Sequence, residues 1–335
     1  MGFYVDMIGI GQGDSFLLTL GTPTGDVFFL IDGGPPDAGD AVADFVIENT
    51  GGHLHAVIGT HLDLDHIGGL ATVVQRCTIG NFYLNLPQDV RTTMLVLTLQ
   101  RMRKQKTAKL WERIEKNLDT AVELVEALTA KGKVPERILA GEYFPLGNGD
   151  IRINVLNPTP ARLQEAWAEI EGEEKVEKAF ERLVGEKLAE KLGYEEAPET
   201  SAENNSSVVL EIVYKNASYA LLTADAGADV LREVTQGKQY RFVKVPHHGS
   251  KTGLDEALIA QLRPTTAFIP VGPNNYGHPA NEILDLLRQH GAGTYCSEKV
   301  NGCRQACPAT GRRNICQPYD RPNRPGWVPV TPCTN

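Results

Sequence analysis

No stretch of this 335-residue chain approaches 18 consecutive apolar residues, the length needed for a helix to span a bilayer. It does not open with a charged segment followed by an apolar one either, and its first residues enter a strand pattern directly. These two absences predict a soluble cytoplasmic protein with no membrane partner. Positive charge is also short: 33 Lys and Arg face 42 Asp and Glu, for a net charge of −9. Strong nonspecific binding to duplex nucleic acid is therefore disfavoured unless basic groups gather on one face. Cysteine is nearly absent from residues 1–295, where Cys77 stands alone in an apparent core segment. Histidine is missing between His66 and His247.

The residues that are present fit one large α/β domain with additions, since 41% of the chain is apolar and it holds 33 glycines. The most informative stretch is Thr60-His61-Leu62-Asp63-Leu64-Asp65-His66-Ile67-Gly68-Gly69. Upstream, Ala56-Val57-Ile58-Gly59 is apolar and β-prone, so it reads as a buried strand whose end delivers the polar residues. His61 and Asp63 lie two apart and can face one cation, while the adjacent Asp65 and His66 can turn toward a second. Two imidazoles and two carboxylates at this spacing suit a pair of divalent ions. A solvated acidic loop with incidental histidines is the plainer explanation, and the clustering argues against it.

These residues resemble the metallo-β-lactamase superfamily, whose usual signature is His-x-His-x-Asp-His. Asp63 here stands in the second His position. That variant, with the motifs that follow in order, is similar to the hydrolase domain attached to competence DNA-uptake channel proteins. The change shifts the centre toward oxygen ligands, and so toward Mn2+ beside Zn2+. Met7-Ile8-Gly9-Ile10-Gly11-Gln12-Gly13-Asp14-Ser15 looks like the family's opening glycine loop, in which Asp14 could orient a ligand. In Asp32-Gly33-Gly34, a turn role and a site role stand level.

Asn204-Asn205-Ser206-Ser207 precedes a hairpin pattern that ends in Ala224-Asp225. By resemblance Asp225 is the carboxylate that bridges both metals, and Asn204 or Asn205, the latter preferred as a substrate or supporting contact, takes the place of the family's third His. The segment Val245-Pro246-His247-His248-Gly249-Ser250-Lys251-Thr252 matches the His-His-Gly-Ser motif of the competence-type hydrolases. This implies His247 as a further metal ligand and His248 as a proton donor, with Ser250 and Lys251 as phosphate contacts. Gly277-His278-Pro279 looks like the family's ending, so His278 could ligate metal in place of His247 or protonate the leaving group.

Two segments lie between the halves of this set. Residues 91–133 lack proline, and Ile114, Leu118, Ala121, Val125 and Leu128 recur at helical spacing; a second charged helical pattern spans residues 161–193. Both read as solvated helical covers, with a lid or a protein-partner arm as the alternative. Residues 296–335 form a cysteine-bearing tail with six basic residues against Glu298 and Asp320, which leaves −13 for the remainder of the chain. There Cys303, Cys307, Cys316 and Cys333 could hold a structural Zn2+, with disulfides or unpaired thiols as rivals.

The resulting expectation is an αββα sandwich over residues 1–295, with helical insertions and the cysteine tail beyond. Its cage would consist of His61, Asp63, Asp65, His66, Asp225 and His247 around two divalent ions, Zn2+ or Mn2+. A shared water would be acidified toward ~7, with Asp65 steering it and His248 or His278 protonating the departing oxygen. The expected reaction is phosphodiester hydrolysis of nucleic acid or a nucleotide. Hydrolysis of a small ester, thioester, lactam or cyclic nucleotide is the second reading, and a regulatory binder with a degenerate site is the third.

Overall fold

The computed structural model describes residues 2–86, 109–146, 149–171, 201–298 and 312–317. Thirteen strands are seen among them: β1 Phe3–Ile8, β2 Phe16–Thr22, β3 Gly25–Ile31, β4 His53–Gly59, β5 Thr78–Leu84, β6 Tyr143–Leu146 and β7 Ile151–Asn157 in the first half, then β8 Val209–Tyr214, β9 Ala217–Leu222, β10 Phe242–Lys244, β11 Thr266–Ile269, β12 Gly293–Cys296 and β13 Arg312–Gln317. One mixed sheet runs β13-β1-β2-β3-β4-β5 and the other β12-β11-β10-β9-β8-β7-β6. The expected sandwich of two mixed sheets is present.

Strand periodicity explains the layering, because successive side chains leave opposite faces. Phe3, Val5 and Met7 of β1 meet Ile151, Ile153 and Val155 of β7 in the core between the sheets, with Leu210 and Ile212 of β8. Leu17, Leu30 and Val57 point the other way, into a second core under the helices Gly39–Thr50 and Leu70–Arg76. Leu221, Val243 and Ile269 do likewise on the far sheet, under Ala228–Thr235, Glu256–Leu262 and Asn281–Gln289. Sheets covered on both faces need near-continuous apolar strands, which is how the buried second half of β4, Ala56 to Gly59, reads.

Of the first helical segment, residues 91–108 lie outside the described residues and the remainder contains the helix Lys109–Ala130. Ala121, Leu124 and Leu128 are fully buried against the first sheet's outer layer, so the later turns of this helix are part of the core. Burying each such leucine stabilises by about 1.5–3 kcal/mol. The second segment is described only over Pro160–Glu171; its remainder lies outside the described residues, as do Cys303, Cys307 and Cys333. Cys316 falls on β13, whose backbone pairs antiparallel with β1. Among the described residues, no helix is long and apolar enough to cross a membrane.

Candidate metal centre

The strand ends supply nearly every polar group of the expected set. β3 and β4 are parallel, as are β9, β10 and β11, so the loops after them open on one edge of the sandwich. Asp32 follows β3, His61 to His66 follow β4, Asp225 follows β9, His247 and His248 follow β10, and His278 follows β11. Crevices at the carboxyl ends of parallel strands are the usual ligand sites of open sheets. Asp14, from the loop before β2, is brought in by a hydrogen bond from its N–H to the Asp65 carbonyl at 3.0 Å. Gly13 permits that approach: its φ is +132°, and a Cβ there would sit 2.4 Å from the Asp65 oxygen.

Asp14, His66, Asp225 and His248 offer ligand atoms within 4.8 Å of one another, and all four are buried. His66 donates through Nδ1 to Asp32 Oδ2 at 2.8 Å, which turns Nε2 toward Asp225 Oδ1 at 3.4 Å. His248 donates through Nδ1 to the Pro270 carbonyl at 2.7 Å, which turns its Nε2 toward Asp65 Oδ2 at 3.2 Å and Asp225 Oδ2 at 3.7 Å. Thr60 donates to Asp32 from both its N–H and its hydroxyl, at 2.8 and 2.7 Å, so its oxygen is left to receive His61 Nδ1 at 3.1 Å. His61 Nε2 then faces Asp63 Oδ2 at 3.6 Å.

Among the buried imidazole nitrogens of the described residues, Nε2 of His61, His66 and His248 lack a hydrogen-bond partner, as does Nδ1 of His247 nearer the rim. The first three belong to rings whose other nitrogen is anchored by a hydroxyl, a carboxylate and a carbonyl, the arrangement that orients metal-binding histidines. A divalent cation is the partner these nitrogens fit, and carboxylates stand beside them to share it. Both oxygens of Asp225 face imidazoles, His66 lying 3.4 Å from Oδ1 and His248 and His247 lying 3.7 and 4.0 Å from Oδ2. The side chains of Asp65 and His247 are 34% and 32% exposed, against 7% or less for His61, Asp63, His66, Asp225 and His248. The cage therefore opens at Asp65 and His247.

Electrostatics follow from this crowding. Burial opposes charge on His66, yet Asp225, Asp14 and Asp32 hold its pKa well above the ordinary value. His248 is likewise raised, as Asp225 and Asp65 outweigh its burial. The Asp65 carboxyl is brought down to about 2 despite desolvation by the adjacent His248 and the nearby His66. Burial and the neighbouring His247 and His248 lower His278 to about 4, so at neutral pH it holds no spare proton. A dication must displace protons from His66 and His248. Apparent metal affinity should rise with pH across neutrality, about tenfold per unit for each proton displaced. Competition titrations with a chromophoric chelator at pH 6.5, 7.5 and 8.5 check this; a flat profile contradicts it.

Both neighbours in the paired motif adopt left-handed backbone, His247 at φ +47° and His248 at φ +53°. Such conformations cost on the order of 1–2 kcal/mol each in L-residues, and here they swing both rings to the same opening. His248 takes the inner position and His247 the rim. His278 packs edge-on to His247, ring centroids 5.5 Å apart. Asn205 accepts from the Gly227 N–H at 3.3 Å and so braces the turn carrying Asp225. Ser250 pairs with the Thr252 hydroxyl at 3.0 Å. Lys251 lies on the surface, paired with Glu282 at 2.8 Å. Exposed pairs of this kind contribute little, so Lys251→Ala should change kcat/KM for a phosphodiester less than about twofold; a tenfold loss in a steady-state assay would restore it as a phosphate contact.

Sequence reasoning missed Lys244. It is 1% exposed at the end of β10, with its ammonium 2.6 Å from Asp14 Oδ2 and 3.3 Å from Asp225 Oδ1. A lysine amid an apolar strand pattern whose flanks are buried was the available signal, since an unpaired lysine does not stay there.

Several known proteins are similar to this chain. Residues 8–272 match the metallo-beta-lactamase superfamily. The chain is 28% identical over 311 residues to ComE operon protein 3 of Bacillus subtilis, covering 85% of this chain and 30% of that protein. It is 35% identical over 94 residues to Recombination protein 2 of Haemophilus influenzae, covering 27% of this chain and 12% of that one. It thus spans less than a third of the length of either relative. Among solved structures, Igni18, a metallo hydrolase from the archaeon Ignicoccus hospitalis, is 13% identical with a TM-score of 0.47, over 95% of this chain and 100% of that one. With the match spanning most of both sheets and the clustered ligands between them, the chain belongs to the metallo-β-lactamase superfamily of metal-dependent hydrolases.

Proposed function

We propose that this protein hydrolyses phosphodiester bonds in nucleic acid, with a single strand or short oligonucleotide as substrate. The observation that carries the reading is an oxygen-rich cage, Asp63, Asp65 and Asp225 beside four imidazoles, open to solvent at Asp65 and His247. Hard carboxylate ligands favour cations such as Mn2+ and Zn2+ that also bind phosphoryl oxygen. One cation would be held by Asp65, His66, His248 and Asp225, the other by His61, Asp63, His247 and Asp225. When bound, such ions acidify water and polarise the phosphoryl group.

The chain's own residues do the rest. Asp32 fixes the His66 ring and, through Thr60, the His61 ring. The Pro270 carbonyl fixes the His248 ring with Nε2 turned toward Asp65 and Asp225, which supports a ligand role for it over the proton-donor role. Asp65, at the mouth, is placed to accept a proton from the attacking water. His278, neutral at pH 7, can position the leaving oxygen through an N–H but is poorly suited to protonate it.

The rim favours a nucleotide over a small acyl compound. Tyr276 is 65% exposed, and its ring lies 5.8 Å from that of His278, tilted by 31°. Asn274 holds the loop, accepting from the N–H groups of Tyr276 and His278 and donating to the carbonyls of Gly272 and His278. A rigid exposed aromatic beside the cleavage site suits base stacking, worth about 1–3 kcal/mol per base. Tyr276→Ala should therefore raise KM for single-stranded DNA roughly tenfold and leave cleavage of a small nitrophenyl phosphodiester unchanged; equal effects on both substrates would contradict a stacking role. The name of one relative, Recombination protein 2, is consistent with nucleic acid as substrate.

The experiment is a panel of single-stranded DNA, single-stranded RNA, duplex and cyclic nucleotide substrates assayed with Mn2+ and with Zn2+. Cleavage of single strands above duplex supports the proposal. Turnover of cyclic nucleotides or thioesters alone replaces it with a small-molecule hydrolase, and a folded, metal-loaded protein inert on every substrate points to a binding protein.

A further inference from the structure

The mechanism leaves unused a buried ionisable group that touches the cage. The Lys244 ammonium touches Asp14 Oδ2 at 2.6 Å, Asp225 Oδ1 at 3.3 Å and the Ala224 carbonyl at 2.5 Å. Three acceptors match its three N–H donors, so it is fully committed. Ala224 adopts left-handed backbone, φ +46°, and this turn presents Asp225 to the cage.

Charge explains why a cation is built in. Asp14, Asp32, Asp63, Asp65 and Asp225 converge in a largely buried region, and two dications would leave one of those five negative charges uncompensated. Uncompensated charge is costly away from water. Asp63 adds one of those charges where the family's usual motif has a neutral histidine.

We propose that Lys244 is a permanent third cation of the centre: it holds Asp14 and Asp225 in place before metal arrives, and it removes Asp14 from the ligand set. Lys244 is thus a positioning residue. The proposal rests on the metal-centre reading but not on the phosphodiester substrate, and its test uses no substrate.

The test is thermal melting and metal counting on the full chain: wild type, Lys244→Met, and Asp14→Asn/Lys244→Met, each in chelator and in saturating Mn2+. Lys244→Met should melt roughly 10 °C lower than wild type in chelator, since it orphans buried carboxylates. Mn2+ should restore most of that loss. The double variant, which removes one of the stranded charges, should recover at least half of it in chelator and still bind two Mn2+ per chain. Equal melting of Lys244→Met and wild type in chelator would overturn the proposal. So would a loss of the same size in Mn2+ that the double variant does not recover, because that marks a packing role. Fewer ions in the double variant would make Asp14 a ligand and overturn it too. If Lys244→Met does not fold, folding of the double variant supports the proposal and its failure to fold overturns it. A wild type whose melting ignores Mn2+ would sink the metal-centre reading instead, while the chelator comparison still decides whether Lys244 pairs with Asp14.

Discussion

Asp65→Asn should lower metal-stimulated phosphodiester hydrolysis by roughly 100-fold or more while the protein stays folded. The two halves of that expectation have different origins. Activity falls because Asp65 is the carboxylate at the mouth of the cage, 3.2 Å from His248 Nε2 and aligned with the opening. An asparagine keeps the shape but loses the charge that binds a cation and the basicity that accepts a proton. Folding survives because Asp65 supports little else: its side chain is 34% exposed, and its backbone carbonyl, which anchors Asp14, is unchanged by the substitution. Steady-state rates with Mn2+ beside circular dichroism check both halves. A variant as active as the parent would remove Asp65 from the chemistry, and an unfolded one would make it structural.

Asp32→Asn should be nearly as damaging through a longer route. Asp32 is 1% exposed and accepts from the Thr60 N–H, the Thr60 hydroxyl and His66 Nδ1. An amide in that place can accept through one atom only, and its NH2 would face a donor. The His66 ring would then lose the hydrogen bond that points Nε2 into the cage, and the Thr60 hydroxyl would no longer be held for His61. Partners of this kind are typically worth 10–100-fold in metal affinity, so apparent affinity for Mn2+ or Zn2+ should fall by roughly that factor. The buried network also stabilises the fold, so a lower melting temperature should accompany the weaker binding. Calorimetric titration reads the affinity. Unchanged binding would show that His66 is oriented by packing alone.

Much of this centre was readable in the chain because its chemistry is local. His61, Asp63, Asp65 and His66 sit on one loop after one strand, and strand-end placement follows from the apolar run before them. The two-sheet architecture was readable for a similar reason: period-2 patterns assign Phe3, Val5 and Met7 to one core and Leu17 and Leu30 to another. What was not readable depends on geometry between distant segments. Which of His247 and His248 lies inward depends on two consecutive left-handed residues, and the letters alone carry no such instruction. Lys244 stands out as a charge in an apolar strand, but its partner was not readable, because Asp14, 230 positions earlier, folds back onto it. Lys251 looked like a phosphate ligand from its neighbours, but the loop carries it outward to Glu282. The helix Lys109–Ala130 looked like a cover or a lid from its charges, and Ala121, Leu124 and Leu128 pack its later turns into the core.

The most direct measurement is an anomalous-scattering map from crystals grown with Mn2+ or Zn2+. The account predicts two peaks roughly 3.5–4 Å apart, straddled by Asp225, with His66 and His248 on one and His61 and Asp63 on the other. A map with no peak among these residues, or with one peak ligated by Asp14 in place of Lys244, would contradict it.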